Sequence, residues 1–254
     1  MVGEGGEKCY LYLAERRIGK SRVLDCHGLD ILSDLPEGNA LLDSFVDELA
    51  RTPPPRVVAF GDSITEGVIG IRPEENWMRL VQEEFGDAVR MCNAGVGGNS
   101  AREAMMRYDR DVLGRKPDVI LLEFGGNNHD PQNRRRNVSD EEFKAILEDF
   151  GSRVPNGVRV IAVTFPPIKD EWHAYGRHPA FKDGLDEAMQ SQREILRSFA
   201  RDRGWPIVDL YAAMKDRREE VLLSDGVHLN PVGQRVFADM VGAALKEIVI
   251  KSGK

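Results

Sequence analysis

The 254-residue chain has only three cysteines, Cys9, Cys26 and Cys92. So odd and scattered a set cannot build a disulfide framework, and no pair has metal-ligand spacing; free thiols in a reducing compartment are the expectation. No apolar run approaches the roughly 20 residues of a membrane span. The opening "MVGEGGEKCYLYLAERR" lacks a basic start followed by an apolar core, so no secretory signal is expected and a cytoplasmic location is. Excess positive charge is missing too. Lys and Arg number 35 against 42 Asp and Glu, a net −7 with both signs interspersed, which argues against a general nucleic-acid binder. Internal repeats and low-complexity tracts are absent. What remains suits one large globular domain, or one domain with a modest extension.

Three consecutive prolines in "RTPPPR", Arg51–Arg56, cannot sit inside a helix and enforce an extended connector. They divide the chain into an N-terminal extension over residues 1–55 and a main domain over 56–254. In the extension, Ile18-Gly19-Lys20 reads as the turn of a hairpin and "NALLDSFVDELAR" as an amphipathic helix. This arm is expected to pack on the main domain or on a second copy of the chain.

Beyond the prolines, short β-branched apolar runs alternate with amphipathic stretches. The strands expected are Arg56–Phe60, Val89–Asn93, Val119–Phe124, Val158–Thr164 and Pro206–Leu210. The helices expected are Asn76–Phe85, Ser100–Leu113, Asp140–Arg153 capped by Ser139, Lys182–Arg203, and a final one from Asn230-Pro231 to about Ile248. This rhythm predicts an α/β fold, a mostly parallel five-stranded sheet with helices on both faces. Functional groups then gather where the strands end.

The loops at those ends are "GDSIT", "NAGVGGNS", "FGGNNHD" and, after a short helix, "SDGVHLNP". Together they hold the parts for cleaving an ester. A serine hydroxyl needs a base within hydrogen-bond reach, the base needs a carboxylate to fix its tautomer, and the oxyanion formed needs fixed donors. Ser63 is the candidate nucleophile, although alone it could simply cap a helix. His228 is the candidate base, and Asp225 its partner three residues earlier. Gly98, the Asn127 amide and the Ser63 N–H are candidate oxyanion donors, with Gly98 preferred over Gly97. Asp62 reads as an organiser of its loop, His129 as structural or substrate-facing, and Arg134–Arg136 as a solvated loop. The stretch "KDEWHAYGRHPAF" reads as a cavity wall or lid; His173 and His178 in it match no metal-site spacing, and no metal or other cofactor is expected.

These four blocks, in this order from residue 57 to 230, resemble those of the GDSL-type, or SGNH, hydrolases. The resemblance implies a flavodoxin-like three-layer α/β/α sandwich. It also implies a serine esterase acting through an acyl-enzyme on Ser63. Family members act on acetylated sugars, short-chain esters, lysophospholipids and thioesters; a small short-chain or acetyl ester is the substrate expected, with neither nucleic acid nor membrane as a partner. One departure stands out: Asn127 is followed by Asn128 where the family usually has Asp. Competing readings are a non-catalytic binding or scaffold protein on the same fold, an acyltransferase, and a thioesterase.

Overall fold

The computed structural model describes residues 12–18, 21–27 and 53–252. The chain divides into two units, Met1–Pro53 and Pro54–Lys254. In the first, β1 (Tyr12–Ile18) pairs antiparallel with β2 (Ser21–His27), Ile18 lying opposite Ser21, as the turn-like Ile18-Gly19-Lys20 predicts. The helix expected over 39–51 lies outside the described residues.

In the second unit, β3 (Arg56–Gly61), β4 (Arg90–Gly95), β5 (Val119–Glu123), β6 (Arg159–Val163) and β7 (Ile207–Val208) form one sheet in the order β4-β3-β5-β6-β7. Every pairing is parallel. The principal helices are α1 (Ser63–Glu66), α2 (Trp77–Phe85), α3 (Ala101–Met105), α4 (Asp140–Arg153), α5 (Gln190–Asp202) and α6 (Pro231–Ser252). The three-layer sandwich follows from the two-residue period of the strands. Val57 and Ala59 of β3, Val119 and Leu121 of β5, and Ile161 and Val163 of β6 face one core, closed by Trp77 and Val81 of α2 and Phe237, Val241 and Leu245 of α6. Trp77 and Phe237 stack there, ring centroids 4.2 Å apart. The intervening Val58, Phe60, Ile120, Leu122, Val160 and Ala162 face the other core, closed by α3, α4 and α5. Strands covered on both faces need near-continuous apolar sequence, which is why they were readable.

The anticipated caps are made, Ser139 accepting from Glu142 N–H and Asn230 from the N–H groups of Val232 and Gly233; Asn76, expected as the first helical residue, instead caps α2 and accepts from Met78 N–H. Three elements differ from expectation, each because a polar side chain turns inward. Ser100–Leu113 is not one helix. It breaks after α3, because buried Arg107 donates to the Gly61 and Ala94 carbonyls, and a single turn follows at Tyr108–Asp111. The Lys182–Arg203 helix begins only after Gly184, as one turn (Leu185–Ala188) leading into α5. There buried Asp186 accepts from Ile168 N–H, Arg193 and Arg218, while Arg193 also donates to the Phe165 and Pro166 carbonyls. β7 is only two residues long, because Asp209 leaves the ladder to cap the turn Leu210–Met214 and to pair with Arg197.

Candidate active site

The strand order reverses between β3 and β5, and in such sheets the crevice at the carboxyl ends of those strands is the natural binding place. "GDSIT" sits at the end of β3. Asp62, not Ser63, caps α1: its carboxylate accepts from Ile64 N–H at 2.9 Å. Ser63 is the first helical residue and its hydroxyl is spared for another partner. Behind it, the Trp77 indole donates to the Thr65 carbonyl and Asn76 to that of Gly67, tying the four-residue helix to α2. Gly95 is required where α1 crosses β4, since a Cβ there would lie 2.3 Å from the Glu66 nitrogen.

The loop before α6 comes to the same point. His228 Nε2 lies 2.9 Å from Ser63 Oγ and His228 Nδ1 lies 2.6 Å from Asp225 Oδ2. A carboxylate only accepts, so the proton rests on Nδ1 and Nε2 is free to accept from the serine. The other Asp225 oxygen accepts the N–H groups of Val227 and His228, both at 3.0 Å. Burial pushes the Asp225 carboxyl up, but these backbone donors and the imidazole outweigh it and hold the group below the ordinary aspartate range.

Gly98 and Asn127 border the same cavity, of about 300 Å³, together with Ser63 and His228. The two glycines of the second loop divide their tasks. Gly97 N–H is taken by the Glu66 carboxylate at 3.0 Å, whereas the N–H groups of Gly98 and Ser63 have no acceptor among the described residues. Gly98 has φ +76°, and a Cβ there would meet the Arg136 guanidinium at 2.9 Å. Asn127 Nδ2 donates to Asp62 Oδ2 and to the Asn99 carbonyl, each at a long 3.2 Å. The structure thus brings four of the five sequence-predicted site residues, Ser63, Gly98, Asn127 and His228, to one cavity, with Asp225 behind it on His228.

The rest of the wall is part apolar, with Phe165, Ile168, Leu185 and Val227, and part polar, with His129, Asp130, Arg136 and His173. Burial pushes the His129 and His173 imidazoles down, favouring their neutral forms. His173 and Tyr175 line the cavity, as expected of their loop; His178 does not. Arg136 departs from the solvated loop expected for it: half-buried, it lies 3.7 Å from both Asp130 and Glu103. Asn128, the departure from the usual Asp, is fully buried. Its carbonyl accepts from Ala101 N–H at 2.9 Å and its amide donates to Gln192 Oε1 at 2.7 Å. The Gln192 amide is held by the Val138 carbonyl, so position 128 must supply a donor, which Asn does and an aspartate carboxylate cannot.

Sequence reading missed Glu123, the last residue of β5. It is fully buried, accepts from the Thr65 hydroxyl at 2.9 Å and stands beside Asp62, whose N–H lies 3.5 Å away. The signal was there: one acid closing the apolar run "VILLEF".

Residues 59–236 match the GDSL-like Lipase/Acylhydrolase family. The acetylxylan esterase of Xylanibacter ruminicola is 28% identical over 75% of this chain, which spans 43% of that protein's length. The isoamyl acetate-hydrolyzing esterase 1 homolog of Rattus norvegicus is 28% identical over 70% of this chain and 76% of its own. Among solved structures, the lipase/acylhydrolase from Enterococcus faecalis superposes with a TM-score of 0.65 at 25% identity, covering 76% of this chain and 96% of that one. The domain built on this sheet is, by class, a carboxylic ester hydrolase. The chain belongs to the GDSL-like lipase/acylhydrolase family.

Proposed function

We propose that the protein hydrolyses small carboxylic esters, acetyl esters foremost, through an acyl-enzyme on Ser63. The observation that carries this reading is the single imidazole bridging Ser63 Oγ and Asp225 Oδ2 at 2.9 and 2.6 Å. His228 Nε2 takes the hydroxyl proton as Ser63 Oγ bonds to the ester carbon. The carbonyl electrons move onto oxygen, where the N–H groups of Ser63 and Gly98 and the Asn127 amide receive the charge. The long bonds of Asn127 to Asp62 and Asn99 leave its amide free to lean toward this stronger acceptor. The tetrahedral carbon then expels the alcohol, which leaves with the proton from His228. Water repeats the sequence on the acyl-enzyme, releasing the acid and restoring Ser63.

The acyl preference rests on size. A cavity of about 300 Å³ with Phe165, Ile168 and Leu185 in its wall suits a short acyl chain. Two relatives whose names specify acetate esters, of xylan and of isoamyl alcohol, point the same way. Ser63→Ala is expected to lower turnover of p-nitrophenyl acetate by on the order of 10⁴ or more; retained turnover refutes Ser63 as nucleophile. In a series of p-nitrophenyl esters kcat/KM should fall as the acyl chain lengthens, and a rise toward long chains would overturn the acetyl assignment.

A further inference from the structure

Asp62 and Glu123 are both fully buried, Asp62 in the turn between β3 and Ser63 and Glu123 at the end of the neighbouring parallel strand β5. Neither has a cation as hydrogen-bond partner. Arg107, the nearby buried cation, spends its guanidinium on the Gly61 and Ala94 carbonyls, on Asn99 and on Asp111. His228 faces Asp62 from the last loop, and Asp62 is the charge that acts most strongly on Glu123. Two neighbouring carboxylates in such surroundings cannot both stay ionised, so the pair holds one proton. The hydrogen bonds say where. Asp62 accepts two N–H donors, from Ile64 and Asn127, the surroundings of an anion. Glu123 Oε2 accepts from the Thr65 hydroxyl at 2.9 Å and, at a long 3.5 Å, from Asp62 N–H, while its Oε1 is buried without a partner, a cost that a neutral carboxyl bears far better than a carboxylate.

We propose that Glu123 is a positioning residue for the esterase site: it carries the single proton of this buried pair, so that Asp62 remains the one anion and holds both the nucleophile turn, through Ile64 N–H, and the Asn127 amide. This rests on the Ser63 reading for its functional half; the proton itself is a property of the fold. Burial, and next the Asp62 charge, push Glu123 well above the ordinary glutamate range, and burial lifts Asp62 to about 6. The folded state therefore binds more protons than the unfolded one. This contribution to stability is complete below the unfolded glutamate range and is lost as pH rises through the raised folded values. At alkaline pH the second charge appears, the carboxylates repel, and Asn127 loses its anchor.

The test reads the proton first. In the intact wild-type protein with ¹³C-labelled glutamate carboxyls, one resonance should keep the protonated-acid shift at pH 7; if every glutamate reads as carboxylate, the proposal fails whatever the kinetics. Glu123→Gln, which retains a donor and removes the charge, should keep kcat on p-nitrophenyl acetate within about threefold at pH 7 and flatten the alkaline fall of both kcat and Tm. Glu123→Ala should lower kcat by about 10- to 10²-fold with KM little changed, the size expected when a catalytic donor is misplaced. A Glu123→Gln protein that loses kcat as fully as Glu123→Ala, or whose Tm falls with pH in parallel with wild type, overturns the positioning role. Failure of Ser63→Ala to inactivate would sink the esterase reading and leave the labelled carboxyl unaffected, so the two failures are distinguishable.

Discussion

Replacing Asp225 by Asn separates the chemistry of the site from its architecture. Asp225 does two jobs with two oxygens. Oδ1 accepts the N–H groups of Val227 and His228 at 3.0 Å, and Oδ2 faces His228 Nδ1 at 2.6 Å. An asparagine keeps the first job with its carbonyl. Its amide, however, presents a donor to Nδ1, which must then accept, so the ring proton moves to Nε2. That nitrogen lies 2.9 Å from Ser63 Oγ and, once protonated, can no longer take the hydroxyl proton. The loss expected is about 10³–10⁴ in kcat/KM, or roughly 4–5.5 kcal/mol of transition-state stabilisation. The Asp225 side chain is 41% exposed, so water relieves part of the mismatch and the lower end is expected. Tm should barely move. Asp225→Ala makes the contrast: it inactivates and also strips two backbone donors of their acceptor, costing about 1–2 kcal/mol, or on the order of 5 °C in a domain of this size. Initial rates on p-nitrophenyl acetate and thermal melts of the three proteins decide the matter. If Asp225→Asn keeps kcat/KM within threefold of wild type, the tautomer argument is wrong; if it loses Tm as Asp225→Ala does, the division of labour is wrong.

Two further substitutions probe neighbouring parts of the site. Asn127→Ala should lower kcat by about 10²–10³ with KM little altered, and a change below threefold removes Asn127 from the oxyanion role. Asn128→Asp restores the residue usual in the family yet sets a carboxylate against Gln192 Oε1, so calorimetry should show a loss of about 1–3 kcal/mol; unchanged stability would show that Gln192 can turn despite its bond to Val138.

What the sequence disclosed, and what it hid, divides along physical lines. Strands buried on both faces must be apolar throughout, so β3, β5 and β6 stood out with ends correct to one residue. Caps announce themselves by residue type, as Ser139 and Asn230 did. The four loop blocks offered the candidate residues because each must supply one residue type at one strand or helix end, and the fold brings Ser63, Asp225, His228, Gly98 and Asn127 near one another. Elements steered by buried polar groups were illegible. Arg107 reads as an ordinary helical arginine until its carbonyl partners on β3 and β4 are seen, and only the fold reveals that Asp186 and Arg193 pin the loop after β6. Arg136 was read as solvent-facing because two arginines precede it, yet it turns into the cavity beside Gly98. Asn128 looked like a deviation and is half of a matched pair with Gln192. The role of Asp62 needed Glu123 beside it, and no spacing rule links positions 62 and 123.

Everything rests on Ser63 being the one hydroxyl that His228 makes nucleophilic. Incubation with a fluorophosphonate, followed by intact-mass and peptide mass spectrometry, asks this most directly. One adduct per chain, on the peptide carrying Ser63 and absent from Ser63→Ala, is the result expected. A folded protein that takes up no label, or takes it up at another residue, would contradict the account.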